Sequence, residues 1–162
     1  MILQDYTNNL PKDKQFNLAI RLTKLAIPIW DNYANKNALT YRDTVVGLTH
    51  AVDKHLLLNT IDTVEKHLQI NKSDNKLYNI RRQYADPVVA LQDFDWELPE
   101  EVQATFYSVY NLLEASLGKV RTTFNELTIY VSINQAVNAL MTSKMITIDE
   151  INNILDDIKN FG

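Results

Sequence analysis

An all-α fold, a single compact helical domain over residues 1–162, is what the sequence predicts, and three observations carry that expectation. Glycine and proline are scarce, three and four in 162 residues, too few for a protein built on many tight turns. Apolar residues recur at three- and four-residue steps through most of the chain. Cysteine is absent, so the fold must rest on packing, and the length suffices for a sizeable core.

The helices follow in order. Pro11 opens the first, because a first turn has no use for the donor that proline lacks. Phe16, Ala19, Ile20, Ala26, Ile27, Trp30 and Tyr33 form one stripe, with Leu18, Leu22, Leu25 and Ile29 beside it. A helix that apolar touches neighbours on two sides, and Pro28 falls on its solvent face, where it kinks or divides the helix. Thr40 and Asp43 resemble a capping box, and Tyr41, Val45, Leu48, Val52 and Leu56 predict a second helix. Ile61, Val64 and Leu68 carry the pattern to about Gln69. Asn71–Asn75 reads as a turn with Ser73 as a cap, before a short helix on Leu77, Ile80 and Tyr84.

Asp86-Pro87 reads as a cap and first helical residue, so a separate brief helix is expected from Pro87 to about Gln92. Leu98, Val102, Phe106, Val109, Leu113 and Leu117 give the strongest helical pattern in the chain, ended by Gly118. Leu127–Ile133 alternates β-branched residues as a strand would. Tyr130, Ile133, Val137 and Leu140 keep helical spacing, however, and a lone strand would lack a partner, so helix is expected. Thr147 and Glu150 form a capping box for a last helix on Ile148, Ile151, Leu155 and Ile158. The total is about six or seven helices. The expected core includes Ile20, Ile27, Trp30, Val45, Val52, Leu56, Phe106, Val109 and Leu113.

Charge divides the chain more sharply than its total of −4. Residues 1–82 carry 12 basic and 8 acidic side chains, residues 83–118 carry none and 7, and residues 119–162 carry 4 and 5. The acidity therefore sits in the middle, where Asp86, Asp93, Asp95, Glu97, Glu100 and Glu101 accompany Phe94 and Trp96. Asp86, Glu100 and Glu101 have structural explanations at helix starts, where the dipole favours anions. Asp93, Phe94, Asp95, Trp96 and Glu97 are left over. Rigid aromatics ringed by carboxylates suit a basic protein partner: the rings supply affinity, the charges speed association.

Other chemistry is thinly supported. Asp43, His50 and Lys54 fall on the polar side of the expected second helix, with Asp53 three residues from His50; Asp43, His50 and Asp53 are candidate metal ligands for a helical hydrolase, although the set lacks the paired motifs of known bundle sites. His55 is expected to be half-buried, and His67 has no assigned role. No Gly-x-Ser-x-Gly elbow, phosphate loop or dinucleotide turn is present, and no cofactor is expected. Arg81-Arg82 beside Tyr78 and Tyr84 could stack bases, but the adjoining acidic segment repels phosphate, so nucleic acid is not expected and pairing of the arginines with the acidic stretch is. No apolar run is long enough to span a membrane, and the N-terminus lacks a secretory signal, so the expected location is the cytoplasm.

In size, acidity and helical character the chain is similar to small helical immunity proteins, which neutralise bacterial toxins by covering a basic active site. That analogy implies a non-enzymatic binding protein whose contact surface is Asp93–Glu101 and the edge of the following helix. The alternatives are the metal-dependent hydrolase and a structural homo-oligomer.

Overall fold

A computed structural model of the chain describes residues 2–161 apart from 71–74. It is about 70% helical, with seven helices among the described residues: α1 (Leu3–Asn8), α2 (Lys12–Lys36), α3 (Leu56–Ile70), α4 (Asn75–Gln92), α5 (Glu100–Ser116), α6 (Thr128–Thr142) and α7 (Ile148–Phe161). Between α2 and α3 lies a small antiparallel hairpin, β1 (Thr40–Arg42) and β2 (Thr49–Ala51), with Tyr41 opposite His50. The expected cap at Ser73 lies outside the described residues.

α5 is the centre, packed against α6, α2, α3 and α4. Its expected apolar ridge is buried at Val102, Phe106, Val109 and Leu113. α6 lies close against it because small residues face each other there: the Ser108 and Ser132 hydroxyls each donate to the other's backbone carbonyl at 2.7 Å. The stretch Leu127–Ile133 is helical, as its three- and four-residue spacing predicts. α2 runs unbroken through Pro28, which points to solvent, and its two stripes bury Phe16, Leu18, Ile20, Leu22, Ile27 and Trp30. α7 covers α2 with Ile151, Ile154, Leu155 and Ile158, and the Thr147 hydroxyl caps it by accepting the Glu150 N–H at 3.1 Å.

Three expectations are corrected. The second helix does not begin at Tyr41. Leu39 and Tyr41 are buried while Thr40 and Arg42 are exposed, a two-residue period, and Gly47 at φ +72 closes the turn. Thr40 and Thr49, one in each strand, favour extended backbone for the same reason that they resist helix: branching at Cβ restricts χ1. Of the expected core, Val45 is therefore 93% exposed on the hairpin loop and Val52 only half-buried; the other seven are buried. Secondly, Asp86-Pro87 starts no helix: α4 continues through Pro87, which is buried, so Asp86 is not a cap. Thirdly, Pro11 does not open the first helix: α1 precedes it, held by the Tyr6 hydroxyl donating to the Leu155 carbonyl of α7.

Tyr84 of α4 is completely enclosed against Phe106 and Tyr110, 5.4 and 5.5 Å away between ring centres. The Thr60 hydroxyl donates to the Leu56 carbonyl at 2.6 Å, so the Tyr84 phenol donates to Thr60 at 2.7 Å. Burial pushes this phenol well above its ordinary value of 10.0, outweighing the opposing effect of the Thr60 bond. A raised phenol pKa in the fold means that the unfolded chain loses its proton first as pH rises. The stabilising contribution is thus fully present below about pH 10 and declines above it, by up to about 1.4 kcal/mol per pH unit for this group. Urea unfolding at successively more alkaline pH is expected to show that decline, and Tyr84→Phe is expected to make it shallower.

Candidate functional site

The acidic stretch follows the end of α4, and its shape is set by how that helix stops. The Asp95 N–H donates to the Ala90 carbonyl at 2.9 Å, the Phe94 N–H to the Leu91 carbonyl at 3.4 Å, and Phe94 has φ +60. This is a Schellman ending, whose left-handed position glycine normally occupies. α5 and α6 end the same way, with Gly118 at φ +96 and Lys144 at φ +58. In α5 the residue is the expected glycine, and in α6 it is an exposed, solvated lysine. In α4 it is a phenylalanine whose ring is 80% exposed.

The reversal at Phe94 sends the next aromatic the other way. Trp96 is 4% exposed, set edge-on to Trp30 at 6.5 Å and to Phe106 at 5.8 Å, with Tyr41 of β1 over it at 5.5 Å. Its expected place in a contact surface is therefore corrected: Trp96 anchors the loop and leaves nothing for a partner to touch. The pairing of aromatics with carboxylates in the sequence placed both rings on one surface; a single left-handed residue between them puts one outside and one inside. Asp93 and Glu97 are exposed and Asp95 is half-buried.

The hairpin joins this loop to make one surface. The Thr44 hydroxyl donates to Asp95 Oδ1 at 3.0 Å, fixing the hairpin loop beside Phe94. That loop carries Val45, Val46 and Leu48, all exposed, and is shaped by Asp43, whose Oδ1 accepts the N–H groups of Val45 and Val46 at 2.8 and 3.2 Å. Under it the Tyr41 phenol is raised, first by burial and then by the negative fields of Asp86 and Asp43. Exposed apolar side chains thus stand among Asp43, Asp86, Asp93, Asp95 and Glu97. The hairpin's contribution was invisible to a helical reading, and the signal that could have found it was the alternation around Tyr41 together with Gly47.

The candidate metal ligands do not share a face. Asp43 shapes the hairpin loop, His50 stacks on Tyr41 at 5.3 Å between ring centres, and Asp53 Oδ1 accepts the His55 N–H at 2.9 Å ahead of α3. Among the described residues no three His, Asp or Glu side chains converge as metal ligands would. His55 is exposed, not half-buried. The arginines do not reach the acidic stretch: Arg81 pairs with Glu114 of α5, and Arg82 donates to the Asn79 side chain at 3.3 Å. Tyr84 is in the core with Leu77, as the stripe they share predicts, so it is not open to a stacked base.

No protein-family model, curated protein or solved structure matches the chain. No helix among the described residues is long and apolar enough to cross a membrane.

Proposed function

We propose that the chain is a non-enzymatic, cytoplasmic protein-binding module of the immunity type, which covers a basic surface on another protein. The contact surface comprises Asp93, Phe94, Asp95 and Glu97 together with Val45 and Val46 of the hairpin. Phe94 is the observation that carries the reading. Folding gains nothing from it: the ring is 80% exposed, and the backbone conformation at φ +60 disfavours a bulky side chain by about 1–2 kcal/mol relative to its ordinary regions. A large, rigid, solvated ring held at a strained position among carboxylates fits an anchor that is buried only on binding. The carboxylates steer a basic partner toward it and repel acidic competitors.

The test separates stability from binding. Phe94→Gly is expected to leave urea stability unchanged or raise it by up to about 1 kcal/mol, because glycine relieves the left-handed strain while loosening the unfolded chain. Combined with Asp93→Lys, it is expected to weaken binding of a basic protein, captured by the wild type and then purified, by about 100-fold or more. A double variant that binds that protein as tightly as the wild type would refute the assignment.

A further inference from the structure

At the opposite end of α5 is a groove with the complementary character. It has a volume of about 330 Å³ and is walled by Leu10, Phe16, Val120, Leu127 and Ile129, with Lys12 and Lys119 at its edge. α5 is 17 residues long, so about 25 Å of helix separates this groove from the Phe94 loop. The two features lie at opposite ends of that helix: the loop precedes the first turn of α5, whereas Gly118, Lys119 and Val120 follow its last. The groove's surroundings are basic. Lys12 and Arg121 are exposed, the Arg121 guanidinium donates to the Asn125 carbonyl at 2.9 Å, and the nearby Glu126 lies close enough to Tyr130 to raise its phenol, second to burial. Glu114, the nearest carboxylate on α5, is buried and held chiefly by Arg81; the Lys119 ammonium lies a longer 3.9 Å from it and keeps half its surface in water.

We infer that the groove between the N-terminus of α2 and the start of α6 receives the Phe94 loop of a second copy of this chain. The inference rests on the reading of Phe94 as a binding anchor and adds a second copy of this chain, through its locally basic groove, as an occupant of that anchor when no other basic protein holds it. The match is one of shape and of charge: an exposed ring flanked by Asp93 and Asp95 meets an apolar hollow flanked by Lys12 and Lys119. A protrusion and a hollow on different parts of one molecule make a heterologous contact, which leaves one free protrusion and one free hollow on every pair. Copies therefore add end to end, closing into a ring or growing as an open chain. Added salt weakens the contact, because both its charged rims are solvated.

Sedimentation velocity of the full chain over a range of concentrations tests this directly. The wild type is expected to form species larger than a dimer, in amounts that rise with concentration and fall with salt. Phe94→Gly, which keeps the groove, and Lys12→Glu with Val120→Glu, which keeps the ring, are each expected to sediment as monomers, with self-association weakened at least about tenfold. Mixed together, they are expected to form a one-to-one dimer and stop there, since each supplies the half that the other lacks. A wild type that stays monomeric at every concentration would overturn the second copy as partner. If Phe94 is then still needed to hold a different basic protein, the docking surface stands and only the identity of its partner falls. Oligomers that persist in either variant alone, or no dimer from the mixture, would also overturn the inference.

Discussion

Trp96→Ala is expected to lower stability by about 3–5 kcal/mol, measured by urea unfolding, which is a large share of what a domain of this size possesses. The side chain is buried against Trp30 and Phe106, rings that belong to α2 and α5, and truncation leaves a cavity between elements held apart by their own helical backbones. The loss is also expected to be uneven. Tyr41 rests on Trp96, and Trp30 Nε1 donates to the Lys54 carbonyl at 3.0 Å, so the hairpin and the approach to α3 are fastened through this cluster. Amide exchange in Thr40–Ala51 should therefore accelerate more than exchange in α5. Trp96→Phe keeps a ring in the site and is expected to recover most of the loss.

Arg81→Ala is expected to lower stability by about 2–3 kcal/mol. Glu114 is 3% exposed, and Arg81 holds it through Nε at 2.5 Å, with the Lys119 ammonium at a longer 3.9 Å. Removing Arg81 leaves a carboxylate without its main partner inside the fold. The expected loss is smaller than for a pair enclosed on both sides, because Arg81 is half in water and Lys119 stays. Replacing both members with apolar residues, Arg81→Met with Glu114→Met, is expected to restore most of the stability, since no charge is then stranded. The double-mutant cycle reads the coupling directly.

These two clusters also mark how far the sequence alone could reach. Where one periodicity dominates, as at Val102, Phe106, Val109 and Leu113, the apolar spacing determines both the helix and its buried face. Leu127–Ile133 was legible despite its β-branched residues, because a helical stripe continued beyond it to Leu140. Tyr41–His55 was not legible in that way. Val45, Leu48 and Val52 mimic helical spacing by coincidence, while the hairpin is held by contacts distant in sequence: Tyr41 on Trp96, and Thr44 on Asp95. Pro87 misled for a related reason, since tertiary burial overrides the local preference that would end a helix there.

The candidate site was legible in part. The crowding of Asp93, Asp95 and Glu97 around two aromatics could be read from the chain, and the structure keeps Phe94 and the carboxylates at the surface. Which ring faced water depended on one backbone angle at Phe94, and composition carries no information about that. The hairpin half of the surface could not be placed at all while Asp43 and His50 were read as helical. Once the hairpin is formed, the carboxylates suggested as metal ligands instead order loops: Asp43 within the hairpin, Asp53 ahead of α3.

Hydrogen exchange on the chain with and without a captured basic protein tests the central claim most directly, because it reports which backbone segments the partner covers. Protection concentrated in Asp43–Leu48 and Asp93–Glu97, and lost in Phe94→Gly with Asp93→Lys, is the result expected of this surface. Protection that instead falls on α7 or on the solvent face of α2, with Asp93–Glu97 unchanged, would contradict it.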